Sequence, residues 1–582
     1  MNKYLFVYSI GPVQKFIAQA RKIQDLYAGS QILSTLIGDT ITELSKNAQI
    51  IFPDNSYPSK PNRIIAILNC NDPEKAASDL EKFTKEKFKE YVNSIYHKFF
   101  GSQKKPDHFD EQIEKFLQIR WVYIPYDSND YKNKYIELEN LFNSSKNIKK
   151  FEQIEECGRK CSLCGERNAL IYNTDKRLPR YIQNDALYLD DNSISHGEGL
   201  CSVCFFKRFY KDKEEGNEYT HSDSTASVSI MDVYDFMEKD YEGLDIINNY
   251  KKIFKGFSFN DELFFRENMN EAYFIKNGYE SLIGKIEKIK EEQEKIYSFC
   301  RNKKKLKSYY AIVAFDGDSM GSWFSGDKIA DGLDIKSFQM ELSKALGKYA
   351  KYVKGCLVYP KGTIIYAGGE DYIGFVNLNC LFNVIKELRE KFDSIVNKPL
   401  KKYFKNKNDN ITFSAGIVIA HYKAPLSNVL KKARDMVDHA KDLDGKDGFS
   451  MALLKHSGEV CEMTYKWYLN DYFILDFIKE IIDSMSKNIF SDSFMKNSGL
   501  EFETFINNNV KFRDDDVFKS ELNRLIERSY LKNGNRTEKD KTVEFFENIV
   551  AKIYESSNEC EEKPLKNLFS TFNIVDFYER VI

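Results

Sequence analysis

Twice along its 582 residues the chain spells the same order of elements: strand, helix, strand, strand, helix, strand. In the first copy, Lys3–Ile10 alternates as a strand and Gly11-Pro12 breaks it. Val13–Leu44 then carries apolar residues at helical spacing (Phe16, Ile17, Ala20, Ile23, Leu26, then Leu33, Leu36, Ile37). Gln49–Pro53 and Arg63–Leu68 read as two further strands, Asp72-Pro73 opens a helix to about Phe100 with Asp72 as its N-cap, and Ile119–Ile124 closes the copy. In the second copy, Tyr309–Phe315 is the first strand, Ile335–Val353 a helix, 363–377 a hairpin, Leu381–Val396 a helix and Ile411–Ala420 the last core strand, with an extra helix over Pro425–Lys441. Each copy is a split βαβ of ferredoxin-like type, so the fold class is α+β with an internal repeat at domain scale.

The copies differ at one turn. The second carries Tyr366-Ala367-Gly368-Gly369-Glu370-Asp371-Tyr372 between its hairpin strands, where the first has Asp54-Asn55-Ser56-Tyr57-Pro58. Gly368 and Gly369 permit the tight turn. Alone, Glu370 and Asp371 would read as a solvated acidic tip. About fifty residues upstream, however, the strand Tyr310–Phe315 ends in Asp316-Gly317-Asp318, and a β-α-β-β order brings that strand beside the hairpin. Asp316 facing Glu370 or Asp371 is the minimum set for a palm-type nucleotidyl transferase, in which two Mg²⁺ or Mn²⁺ ions held by carboxylates assist an in-line displacement at phosphorus. Asp318 either binds through water or caps the following turn, and Gly317 lets backbone approach phosphate. Lys441 and Lys446, around Asp442-Leu443-Asp444-Gly445, are either triphosphate ligands or exposed lysines at a helix end. Ser414-Ala415-Gly416 either leaves room for a base or ribose or is a small-residue packing site. The first copy, lacking the acids, reads as non-catalytic. No Ser/His/Asp set, Gly-x-Gly-x-x-Gly cradle or Walker loop competes.

Between the copies stand Cys161-x-x-Cys164 and Cys201-x-x-Cys204, separated by 36 residues. Two such knuckles supply four thiolates for a closed, structural Zn²⁺ site; Cys157 and His196 read as bystanders. Cys70, Cys300, Cys356, Cys380, Cys461 and Cys560 read as small buried apolar residues. Residues Asp223 to Arg301 are helical and increasingly charged. Beyond Glu459 no strand signal is found, and Tyr465–Met485, Phe502–Asn508, Glu521–Leu531, Val543–Tyr554 and Leu565–Phe577 suggest a helical bundle. The expected domains are a first palm (1–150), a zinc-binding and helical insertion (151–305), a catalytic palm (306–457) and a C-terminal helical domain (458–582). Lys plus Arg (86) nearly cancels Asp plus Glu (88), so any RNA-binding face is a local patch. The absence of a signal-like leader or membrane-length run, with eleven scattered cysteines, points to the cytoplasm and to no membrane partner.

The hairpin and its partner Asp316 resemble the palm of the adenylate/diguanylate cyclase and polymerase superfamily. The opening run Ser9-Ile10-Gly11-Pro12-Val13-Gln14-Lys15-Phe16-Ile17, followed by Ala20-Arg21, Asp25-Leu26 and Ala28-Gly29-Ser30, resembles the first palm of the large subunit of type III CRISPR effectors (the Cas-ten, or CRISPR polymerase, family, Cmr branch). That resemblance implies a complex with guide RNA, target RNA and other effector subunits, in which ATP becomes an adenylate second messenger. It matches Asp316, Glu370 and Asp371 to the metal-binding acids and Gly368 and Gly369 to the hairpin glycines. Position 370 departs from the family's usual Gly-Gly-Asp-Asp, and the chain starts at the first palm without the His-Asp nuclease of many members, so no DNase activity is expected. The resemblance leaves two products open, cyclic oligoadenylate and AMP joined to S-adenosylmethionine, with Asp72 as a candidate contact for the latter's amino group. A silent scaffold holding the guide-RNA 5′ end and a stand-alone nucleotide cyclase are the rival readings.

Overall fold

Residues 2–581 are described by the computed structural model, apart from 128–129, 148–155, 157, 174–181, 192, 196, 211–223, 302, 459, 488, 492–514, 532–535 and 561–563. Strand β1 (Asn2–Gly11) is central to the first sheet, which β2 (Ala48–Phe52), β3 (Arg63–Cys70) and β4 (Gln118–Pro125) complete in the antiparallel order β2-β3-β1-β4. Alternation along β1 buries both faces. Phe6, Tyr8 and Ile10 face the core with helices Ile23–Leu44 and Pro73–Phe100, while Leu5 and Val7 join a second core with Tyr135, Leu138 and the other palm. Asp72 caps Pro73–Phe100 as expected, accepting from the Lys75 N–H at 3.0 Å.

The expected helix over Val13–Leu44 is in fact two, Gln14–Ala18 and Ile23–Leu44. Asp25 makes the break: its carboxylate accepts the Arg21 and Lys22 N–H groups at 3.0 and 3.1 Å, offering that backbone an alternative to helical pairing.

Short strands β5 (Ile171–Asn173), β6 (Leu187–Leu189) and β7 (Gly199–Leu200) form a sheet of order β6-β5-β7 beside the cysteine pairs. Helices Thr225–Glu238, Tyr241–Lys252 and Ile286–Cys300 follow.

The second sheet comprises β8 (Tyr309–Gly317), β9 (Gly362–Gly368), β10 (Asp371–Val376), β11 (Phe413–His421), β12 (Gly448–Leu454) and β13 (Val460–Lys466), in the order β13-β12-β11-β8-β10-β9. Its β11-β8-β10-β9 portion repeats the first sheet's order. β12 then pairs parallel to β11, after the crossover helix Leu426–Lys441, and β13 antiparallel to β12. The expectation of no strand beyond Glu459 is therefore corrected. β13 and a small hairpin, Tyr468–Leu469 with Tyr472–Phe473, precede the helix Ile474–Ser486, and the sheet runs past residue 457. Helices Asp515–Ser529, Arg536–Cys560 and Pro564–Val581 complete the C-terminal region, and the expected helix at Phe502–Asn508 lies outside the described residues. Among the described residues no helix is long and apolar enough to cross a membrane.

The palms pack against each other through one continuous core. Phe52 meets Phe324 edge-to-face at 5.2 Å, Tyr131 donates to Gln339, and the first-palm loop after β2 reaches the helix Ile335–Cys356, where Ser343 accepts the Asp54 N–H at 2.6 Å.

Candidate active site between the palms

Asp316 lies at the end of β8 and Asp371 at the start of β10; since Phe315 pairs with Tyr372, the two aspartates are neighbours across the strand pair. Gly369-Glu370 forms the two-residue turn between the paired Gly368 and Asp371. Gly369 has φ 65°, which favours glycine, and tyrosines fix the tip: Tyr372 donates to the Gly369 carbonyl at 2.9 Å and Tyr366 to that of Gly368 at 3.2 Å. The glycines also admit the first palm. A β-carbon on Gly368 would stand 3.2 Å from the Lys60 carbonyl, and one on Gly369 3.3 Å from Pro61. The structure thus brings Asp316, Glu370 and Asp371 to one hairpin tip, covered by the first palm.

Gly317 also has a packing role. A β-carbon there would meet Met320 at 2.7 Å and the Glu370 β-carbon at 2.8 Å, so its smallness lets Glu370 lie over the end of β8. Asp318 and Ser414 require correction as nucleotide contacts. Asp318 is buried and accepts from Ser414 at 2.8 Å, Thr412 at 2.8 Å and the Asp447 N–H at 3.1 Å; both its oxygens are engaged in tying β8 to β11 and to the turn after Leu426–Lys441. Ser414 is buried too, and Gly416 is filled by the Ala433 carbonyl and Val437 amide of that helix, so this strand segment packs rather than opens a pocket. Asp72, engaged as a helix cap, is not among the residues lining the cleft.

Lys441 ion-pairs with Asp316 and lies 3.4 Å from the Gly317 carbonyl. Lys446 sits on the following turn at φ 55°, its carbonyl accepting from Lys466; among the described residues it makes no ion pair with the three acids. Burial, then repulsion from Asp316, raises the Glu370 carboxyl above its ordinary range, with Arg63 and Lys441 opposing. Burial, Glu370 and Asp316 raise Asp371 further. Neighbouring carboxylates whose repulsion a cation would relieve, with oxygen donors throughout, have the chemistry for hard divalent ions such as Mg²⁺ or Mn²⁺, although their oxygens do not all lie within 4.8 Å of one another as the four sulfurs of the cysteine cluster do.

Beside the acids opens a cleft of about 350 Å³, lined on the second palm by Met320, Phe324, Glu370 and Asp371 and on the first by residues that sequence reasoning missed, notably Arg63 and Glu139. Arg63 ion-pairs with Glu139 and stacks over Phe142 at 5.1 Å.

The four sulfur atoms of Cys161, Cys164, Cys201 and Cys204 all lie within 4.8 Å of one another, with Cys164 and Cys201 3.9 Å apart. A tetrahedral site with Zn–S of about 2.3 Å needs sulfurs about 3.8 Å apart, so the set fits Zn²⁺. Cys201 also caps the helix Ser202–Phe209, accepting from the Cys204 N–H. Cys157 and His196 lie outside the described residues.

The family model for the Cas10/Cmr2 second palm domain matches residues 309–450, and that for the N-terminal region of CRISPR-associated protein Cmr2 matches residues 5–97. Both matched regions thus answer to models of one family, Cas10/Cmr2. The CRISPR system Cmr subunit Cmr2 of Pyrococcus furiosus is 24% identical over 575 residues, covering 79% of this chain and 62% of the relative, so the chain spans less than two thirds of that Cas10/Cmr2 protein. Cryo-EM structures of a type III-B Cmr-beta complex share the fold. The target-RNA-bound form has TM-score 0.64 at 16% identity, covering 92% of this chain and 79% of the other, and the apo form 0.60 at 17%, covering 92% and 78%.

Proposed function

We propose that this chain is the nucleotidyl-transferring large subunit of a type III-B effector, working with guide RNA, target RNA and partner subunits on ATP. The observation that carries this reading is the meeting of Asp316, Glu370 and Asp371 at a covered hairpin tip, with Lys441 against Asp316 and a cleft alongside. Two Mg²⁺ or Mn²⁺ ions, held by these carboxylates, would neutralise the triphosphate and sharpen the attacking oxygen. The chain's own residues do the rest. Lys441 draws phosphate charge toward the end of β8, the Tyr366 and Tyr372 hydrogen bonds keep the acids from drifting, and the first-palm loop packed on Gly368 and Gly369 holds the turn in place. In the reaction an acceptor oxygen bonds to the α-phosphorus of ATP, the bond to the β-phosphate oxygen breaks, pyrophosphate leaves and the acceptor's proton passes to solvent. The acceptor occupies the cleft at Arg63 and Glu139, and is either a second adenylate or S-adenosylmethionine. The likeness to the target-RNA-bound complex supports the RNA partners, and the spacing of the four sulfurs supports a structural Zn²⁺.

The test is pyrophosphate release from ATP by the assembled complex, with Mg²⁺ or Mn²⁺, with and without target RNA. Target-dependent release supports the reading. No release under either condition supports a scaffold, and GTP turnover without RNA supports a free-standing cyclase.

A further inference from the structure

Arg434 plays no part in the reading above, yet its position is unusual. It stands on Leu426–Lys441 two helical turns before Lys441, about 10 Å along the axis and on the same side. Ala433 and Val437 bury the neighbouring helix face against Gly416 of β11, so Arg434 and Lys441 form one row along the flank of that buried face. At one end of that row Lys441 meets Asp316. At the other, Arg434 is half-buried and donates from Nη2 to the Gln14 carbonyl of the first palm at 3.2 Å. Burial lowers its pKa, and the acid that opposes the shift is Asp371.

The tether is itself held. Gln14 opens the helix Gln14–Ala18, and the Lys207 ammonium, wholly buried, gathers the Phe16, Ile17 and Gln19 carbonyls beyond it, the last two at 3.3 and 2.8 Å. Lys207 belongs to the helix capped by Cys201. A carbonyl aims a guanidinium without cancelling its charge, and the planar fork keeps further N–H groups for another acceptor. An aimed, uncancelled cation beside carboxylates meant for divalent ions is suited to the oxygen-rich anion those ions would carry.

We infer that Arg434 contacts the triphosphate of the donor nucleotide, with its aim set by the Gln14 carbonyl of the first palm. This rests on the nucleotidyl-transfer reading. Lys441 and Arg434 would then flank the phosphate chain on the side of the Leu426–Lys441 helix, leaving the Arg63 and Glu139 cleft to the acceptor.

The test is calorimetric titration of ATP, and separately of AMP, into the full chain with Mg²⁺, for wild type, R434A and R434K. Removing a charge-assisted bond to phosphate should weaken ATP roughly tenfold or more while AMP changes by less than about twofold, with R434K between wild type and R434A. An R434A variant that binds ATP as tightly as wild type overturns the inference. So does an equal loss for ATP and AMP in R434A and R434K, which would mark a merely structural arginine. Wild type that binds neither nucleotide overturns the nucleotidyl-transfer reading itself, and the inference with it.

Discussion

Gly317 and Glu370 touch: a β-carbon built on residue 317 would stand 2.8 Å from the β-carbon of Glu370, with Met320 closing the other side at 2.7 Å. The residue after the strand-end aspartate thereby sets how closely the hairpin acid can lie over β8. G317A should push Glu370 away from Asp316 without emptying the site of any ligand. The expected result is a loss of about a hundredfold in turnover with little change in folding, since a displacement near 1 Å costs that much where geometry is tight. Turnover and thermal melting measured on the same preparation check it.

The hairpin acids give a pH dependence whose sign follows from their shifts. Burial and mutual repulsion raise Glu370 and Asp371 above their unfolded values, so the folded chain binds more protons than the unfolded one and loses stability as pH rises through the raised values. D371N should therefore raise the melting temperature of the metal-free chain at neutral pH and leave it nearly unchanged at a pH below the ordinary carboxylate range. Mg²⁺ or Mn²⁺ should raise the melting temperature of wild type more than that of D371N, and more as pH increases. Melting curves over a pH series, with and without metal, read all three effects.

The cysteine cluster should hold one zinc per chain by elemental analysis, and C201S should lose it. Because Cys201 also caps Ser202–Phe209, C201S should lower stability by more than an N-cap alone, which contributes about 1 kcal/mol. Chemical denaturation of C201S against wild type, both at known zinc content, measures the difference.

Arg208 is wholly buried on that helix and pairs with Asp25 of the first palm and with Glu198. R208M leaves two buried carboxylates without their cation, and breaking a buried pair from one side costs about 3 kcal/mol or more. Denaturant titration of R208M should show that loss, and D25N should relieve part of it in the double variant.

The first sheet and the β8–β11 portion of the second were legible because strands buried on two faces, such as β1, write near-continuous apolar runs, and the cap at Asp72-Pro73 is local. The break between Gln14–Ala18 and Ile23–Leu44 was not, because the buried Asp25 carboxylate that accepts the Arg21 and Lys22 N–H groups is paired with Arg208, 183 residues away, and so does not read as a cap from its local sequence. β13 was overlooked because its apolar residues run into those of Ile474–Ser486. The separating signal was present in Asn470-Asp471, a two-residue turn with φ 47° and 68°. At the site, the three acids and Lys441 were readable from motif and spacing. Asp318 and Ser414 had the right chemistry for ligands but satisfy each other, a pairing that only the register of β8 on β11 creates. Arg63 comes from an element remote in sequence, so the fold alone brings it to the cleft beside the hairpin.

The central claim is that this hairpin joins AMP from ATP to an acceptor. The most direct measurement supplies the assembled complex with guide and target RNA, Mn²⁺, labelled ATP and S-adenosylmethionine, and weighs the products by mass spectrometry for wild type, D316N and D371N. Wild type should give an adenylate product, its mass telling oligoadenylate from the S-adenosylmethionine conjugate, with a fall of at least about a hundredfold in either variant. Wild type that makes no adenylate product, or variants that make as much of it as wild type, would contradict the account.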